Sequence, residues 1–285
     1  MNKSTAHTIE VENLKVQFET PGGIVDAVKG ISFNLGKERL GIVGESGSGK
    51  SQTGRAILNL LDQNGKMSAD RLSFNGIDLL NADEKTMREI RGKRISMIMQ
   101  DPQYSLNPIM KVGEQISEAF LAHTKASKKE ARQKALEMLA TVQIRNPETV
   151  YHQYPHQVSG GMGQRIMIAM MLIPDPEVII ADEPTSALDV TIQLQVLSLI
   201  DEMVEERGAG LILISHDIHL VSTFCERVLV MYGGKIMESI PANELKNAEH
   251  PYTRGLLECM PGIDGKKRRL TTLKRDAAWL EYDSK

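Results

Sequence analysis

From Ile9 to Phe18 apolar and polar residues alternate, Ile-Glu-Val-Glu-Asn-Leu-Lys-Val-Gln-Phe, which is the period of a half-buried strand. Thr20-Pro-Gly-Gly23 reads as a turn, and strand patterning resumes over Ile24 to Phe33. Short apolar runs follow at Leu40 to Val43, Leu72 to Phe74, Ile95 to Met99, Val178 to Ala181 and Leu211 to Ile214. Helical periodicity fills Gln52 to Leu61, Val112 to His123, Lys128 to Val142 and Leu194 to Glu206. Apolar β-runs alternating with helices predict parallel strands covered on both faces. Val228 to Tyr232, Gly233-Gly234 and Lys235 to Glu238 predict a hairpin.

The pattern divides the chain. Residues 1–106 read as an N-terminal β subdomain with the start of an α/β core, and 107–157 as an all-helical insertion. Residues 158–249 read as the rest of the core, and 250–285 as a polar, partly basic extension. The chain of 285 residues carries a formal charge of −3, with 41% hydrophobic and 25% charged residues, as in an ordinary folded domain. That balance argues against a nucleic-acid coat protein, and 4% aromatics argue against stacked-base recognition. The two cysteines, Cys225 and Cys259, are too few for a four-thiolate iron–sulfur cluster in one chain. Met1 to Glu10 has no apolar segment, so no signal peptide is expected. The longest strongly apolar stretch, Ile166 to Ile173, falls well short of the about 20 residues that span a bilayer.

Gly44-Glu-Ser-Gly-Ser-Gly-Lys-Ser51 fits the phosphate-loop pattern, after a strand and opening a helix. Gly44, Ser46, Gly47, Ser48, Gly49, Lys50, Ser51 and Gln52 are therefore candidates for holding a nucleoside triphosphate. The backbone N–H groups would wrap the phosphates, Lys50 would add a charge, and Ser51 would offer its hydroxyl to Mg²⁺. The loop alone does not choose among kinases, GTPases and ATPases.

Asp182-Glu183 ends a buried strand, the edge where α/β sheets bind ligands. Asp182 fits a Mg²⁺-holding carboxylate, and Glu183 a group that orients or deprotonates water. The alternative is a solvated pair capping the next helix, which the upstream phosphate loop argues against. Gln100, after the strand Ile95 to Met99, could touch both Mg²⁺ and the water, and His216 could hydrogen-bond the γ-phosphate. Each could also be a plain polar loop residue. Ser159-Gly160-Gly161 opens a long apolar helix, with Ser159 a natural N-cap. This is a second anion-binding helix start. It suggests two nucleotides shared across a head-to-tail dimer, each between the phosphate loop of one chain and Ser159 to Gly161 of the other.

The motifs and their order resemble the ATP-binding cassette proteins, in particular the ATPase subunits of bacterial oligopeptide, dipeptide and nickel importers. The resemblance covers about residues 9 to 260 and rests on Gly44 to Ser51, Gln100 to Pro108, Tyr154 to Gln157, Ser159 to Met162, Asp182 to Thr185, Ser186 to Asp189, His216 and His250 to Leu257. It implies an ABC-type P-loop NTPase fold with an antiparallel β subdomain and an inserted helical subdomain. It also implies ATP hydrolysis with Mg²⁺, catalysed through Glu183, His216 and Gln100, with Ser51, Gln100 and Asp182 around the metal. Asp189 would contact the partner cassette, and Phe18 is the candidate to stack on adenine, although a lone strand Phe is more often a core residue. The implied partners are a two-subunit transmembrane permease, a second ATPase subunit (a heterodimer ahead of a homodimer) and, indirectly, an extracytoplasmic solute-binding protein. The implied place is the cytoplasmic face of the inner membrane, as a peripheral subunit.

Three departures stand out. Gly163 takes the place where arginine or glutamine commonly follows the signature, Lys37-Glu38 alters a glycine–glutamate turn, and the C-terminus lacks the family's cysteine cluster, so no iron–sulfur cluster is expected. Lys266 to Arg269 read as a solvated basic tail ahead of a lipid-headgroup contact. Repair-type ABC ATPases place a long coiled coil between the positions of Gln100 and Ser159; the 59 positions here leave no room for one.

Overall fold

A computed structural model describes residues 8–100, 105–185, 190–259 and Trp279. Its strands, in chain order, are β1 Ile9–Thr20, β2 Gly23–Leu35, β3 Arg39–Val43, β4 Gly65–Ser68, β5 Arg71–Phe74, β6 Ile77–Asp78, β7 Ile95–Ile98, β8 Val178–Asp182, β9 Gly210–Ser215, β10 Arg227–Tyr232 and β11 Lys235–Pro241. The chain divides into two compact units, residues 1–81 with 212–285, and residues 82–211.

In the first unit β1 pairs antiparallel with β2, β4 and β5, and β5 with β6. Ile9, Val11, Leu14 and Val16 of β1 are buried, so the alternation in the sequence does face a core. The β1–β2 register shifts three times. Near one shift Asn13 takes a φ of 52°, a left-handed conformation that Asn tolerates better than most residues. β3 pairs parallel with β10, and β10 antiparallel with β11, the expected hairpin. Arg39 pairs with Glu226 at 3.0 Å, and Arg227 holds Glu38 at 2.6 Å and the Asn34 carbonyl at 2.6 Å. Glu38 of the unusual Lys37-Glu38 turn is thus tied to the start of β10.

The helix expected over Gln52 to Leu61 runs instead over Lys50–Ile57. Asn59 turns left-handed at φ 49°, and the N–H groups of Asn59 and Leu60 close on the carbonyls of Ala56 and Arg55, at 3.0 and 2.8 Å. That is a Schellman end, which stops the helix before Leu60. Among the described residues this unit also holds the helices Ile218–Phe224 and Pro251–Cys259 and the short 3-10 helix Ala242–Asn247.

In the second unit β7 and β8 pair parallel, Ile95 opposite Val178 through Ile98 opposite Ala181, all buried. The helices Val112–Leu121, Lys128–Thr141 and Pro147–Tyr151 fall in the segment read as the helical insertion. The second begins with a capping box. Ser127 Oγ accepts from the Glu130 N–H at 3.2 Å, and Glu130 accepts from the Ser127 N–H at 2.6 Å, satisfying two orphan donors at once. Tyr151 packs on the first helix at Gly113, and its hydroxyl lies 3.0 Å from Ser117 Oγ. The described residues of this unit also include the helix Glu84–Ile90 and the long helices Gly160–Leu172 and Val190–Arg207, the latter two joined by Arg207, which donates to the Leu172 carbonyl at 2.7 Å.

Candidate nucleotide site

The loop after β3 is built around a buried cation. Lys50 is 5% exposed. Its Nζ donates to the carbonyls of Gly44 and Glu45, both at 2.8 Å, and lies 3.4 Å from Ser48 Oγ. A buried ammonium needs such partners, and the loop's own carbonyls hold this one at its centre. Gly49 caps the helix at φ +98°, and a Cβ there would overlap the Ala27 carbonyl oxygen. Only glycine fits that place. The helix start is locked by Thr53, whose N–H and hydroxyl both bond to the Gly49 carbonyl, at 2.9 and 3.0 Å. The sequence-predicted set Gly44, Ser46, Gly47, Ser48, Gly49, Lys50, Ser51 and Gln52 is therefore one contiguous feature of the first unit. His216 also lies in this unit, exposed on the turn after β9, where Asp217 caps the next helix by accepting from the N–H groups of His219 and Leu220.

The acidic pair lies in the second unit. Asp182 ends β8 and is 4% exposed. Glu183 follows at φ 46°. A left-handed backbone at a non-glycine, non-Asn residue is costly and persists where the surroundings impose it, often at functional sites. Gln100 Nε2 donates to Glu183 Oε2 at 3.3 Å, so the amide and the carboxylate read separately from the sequence meet.

Ser159 N-caps the helix Gly160–Leu172, its Oγ accepting from the Met162 N–H at 3.4 Å. A Cβ on Gly160 would meet nothing within 4 Å. Among the described residues nothing requires a glycine there. A cavity of about 700 Å³ beside the helix start is lined by Ser159, Gly161, Met162, Gln143, Ile144, Arg145, Arg165 and Gln195. Arg165 is held in its wall by the Gln143 carbonyl at 3.2 Å and Gln195 Oε1 at 2.6 Å. Gly163 is buried, and its N–H donates to the Ser159 carbonyl at 2.8 Å, so the helix starts in regular form without the family's usual residue there.

The sequence reading missed Gln164. It is 2% exposed, and its amide donates to the Pro184 carbonyl, tying the signature helix to the residue after Glu183. A polar residue within an apolar helical pattern was the available signal. It also missed Tyr252, fully buried, whose hydroxyl accepts from the Glu45 N–H at 3.1 Å.

Phe18 is half-buried and lies against Gly65, its partner on β4, so part of its ring is already used in packing. Asp189 and Lys266 to Arg269 lie outside the described residues, as does part of Gln100 to Pro108. Among the described residues no helix is long and apolar enough to cross a membrane.

Comparison with known proteins decides the family. Residues 28–186 match the family described as ABC transporter, and residues 237–283 match the C-terminal region of oligopeptide/dipeptide transporters. The chain belongs to the ABC transporter ATPases. The dipeptide transport ATP-binding protein DppD of Bacillus subtilis is 48% identical over 93% of this chain and 80% of its own length. The oligopeptide transport ATP-binding protein OppD of Salmonella typhimurium is 45% identical over 93% and 79%. Among solved structures the dimeric cassette MJ0796 superimposes with a TM-score of 0.74 at 28% identity, covering 82% of this chain and 98% of that one. A dimeric post-hydrolysis state of MJ0796 bound to ADP and Pi gives 0.71 at 27%, with the same coverage. This ABC ATPase thus has the P-loop fold and the ATP-hydrolysing activity that its motifs imply.

Proposed function

We propose that this ATPase drives import of peptides through a separate permease. It would do so as a peripheral subunit on the cytoplasmic face of the inner membrane, paired with a second cassette and served indirectly by a solute-binding protein. The observation that carries this reading is the pair of matches, cassette and peptide-transporter C-terminal region, on one chain. The names of the relatives favour peptides over nickel.

In the proposed site Lys50, buried within the loop, and the backbone N–H groups of residues 46–51 bind the phosphates. Phe18 takes the adenine. Magnesium, held by Ser51 Oγ, Asp182 and Gln100, would neutralise charge on the phosphates. The chain's own part in hydrolysis is positioning and proton handling. Glu183 accepts a proton from the attacking water, Gln100 orients that carboxylate through its amide, and His216 holds the water against the γ-phosphate. Ser159, Gly160 and Gly161 offer N–H groups to the nucleotide of the other cassette, and Asp189 contacts that cassette.

Uptake of labelled dipeptide, oligopeptide and nickel by cells lacking this chain tests the reading. Loss of peptide uptake, restored by the wild-type chain and not by Glu183→Gln, is the expected result. Loss of nickel uptake alone would replace the solute, and unchanged uptake of all three would overturn the importer reading.

A further inference from the structure

The C-terminal segment reaches the phosphate loop. Tyr252, in the first turn of the helix Pro251–Cys259, is wholly buried, and a buried phenol needs a hydrogen-bonding partner. It finds one 207 positions away, as the Glu45 N–H of the loop donates to its hydroxyl at 3.1 Å. Glu45 is also one of the two residues whose carbonyls hold Lys50 Nζ. The phenol therefore fixes the residue that sets the resting place of the phosphate-binding ammonium.

The ring has little freedom. Tyr232, at the end of β10, lies 4.6 Å away between centroids, and Trp279 lies 5.4 Å from Tyr252 and 5.6 Å from Tyr232. Aromatic clusters at these separations add packing beyond their buried area. The His250 imidazole Nδ1 accepts from the Tyr252 N–H at 3.1 Å, fixing the start of the helix. The loop is also backed by β10 and its hairpin turn. A Cβ on Gly44 would overlap the Met231 carbonyl, and the Gly234 N–H donates to the Ser48 carbonyl at 3.2 Å.

We propose that Tyr252, oriented by Tyr232 and Trp279, is a positioning residue for the phosphate loop, through which the C-terminal segment of this chain sets its nucleotide affinity. The proposal rests on the reading of residues 44–51 as the nucleotide site. Removing the hydroxyl alone frees the Glu45 peptide while leaving the ring packing in place. The effect belongs in nucleotide binding, not in the chemical step.

The test measures ADP affinity by calorimetry, with ATP kcat and KM, on the full-length wild-type, Tyr252→Phe, Trp279→Phe and Lys50→Ala chains. Tyr252→Phe is expected to weaken ADP binding about threefold to tenfold, the scale of one hydrogen bond, with the loss of kcat/KM carried by KM. Trp279→Phe shifts affinity the same way by a smaller factor. The protein has one tryptophan, so Trp279 emission should also respond to ADP in the wild type. Wild-type ADP affinity in Tyr252→Phe, or a lowered melting temperature with unchanged affinity, overturns the proposal. If Tyr252→Phe does not fold, wild-type affinity in Trp279→Phe overturns it instead. Lys50→Ala separates the two readings: if it too binds ADP normally, the phosphate-loop reading has failed, whereas loss of binding there beside normal Tyr252→Phe leaves only the brace refuted.

Discussion

The two helix starts that point to nucleotide chemistry are built in opposite ways. The phosphate loop is closed upon itself: Lys50 is buried against the loop's own carbonyls, the Ala27 carbonyl leaves room only for glycine at Gly49, and Tyr252 holds Glu45 through its hydroxyl. The signature helix start is open. Ser159 caps it, but Gly160 faces empty space, and the cavity beside it has Arg165 fixed in its wall. Both offer backbone N–H groups and the positive end of a helix. The difference shows which demands come from within the chain. A loop that must hold its ligand with one chain's atoms is pre-shaped by that chain's packing. The signature helix start, which the proposed function gives to the other subunit's nucleotide, keeps glycine where the described packing would accept alanine.

Substitutions in the chemistry joined to each helix start separate the two. Glu183→Gln should retain ATP binding and cut turnover about 10²-fold or more, the scale of losing a general base; steady-state hydrolysis beside calorimetric ATP binding checks it. Gly160→Ala comes next. The added methyl has no neighbour in the chain, so the melting temperature should hold or rise slightly, while ATPase activity of the assembled pair falls on the order of tenfold or more. A loss of stability would show that the glycine answers to internal packing after all. Gln164→Ala should lower kcat severalfold and leave nucleotide affinity alone, because it frees Pro184 and so the backbone that holds Glu183; a kcat and KM comparison decides.

The smallest expected effect concerns pH. Burial keeps His250 below the ordinary value of 6.5, against smaller upward pulls from the Trp279 backbone and the Glu238 charge. A histidine depressed in the folded state binds fewer protons there than in the unfolded chain. Its contribution to stability is therefore present above about pH 6.5 and is lost as pH falls below it. The melting temperature should drop from pH 7 to pH 5, and His250→Asn, whose amide oxygen can still accept from the Tyr252 N–H, should flatten that drop.

Much of this was legible in the sequence where the signal is local. Gly44 to Ser51 states its own turn and helix start, β8 is an unbroken apolar run ending in acid, and Ser159 announces its cap. The misses have physical reasons. β4 and β6 are four and two residues long, too short for any period to register. The first helix loses its last turn to a Schellman end at Asn59, which outweighs the apolar pattern continuing to Leu61. The left-handed Glu183 and the Gln164–Pro184 bond depend on tertiary placement, and no spacing rule encodes them. Tyr252 lies 207 positions from its loop partner.

The central claim is that the phosphate loop of one cassette and the open signature helix of another share a nucleotide. Sedimentation of the Glu183→Gln chain, together with any cassette that co-purifies with it, measures this directly. The account predicts a species of twice the cassette mass in the presence of ATP only, and its loss when Gly160→Ala is added. A cassette that binds ATP and remains monomeric in both settings would contradict it.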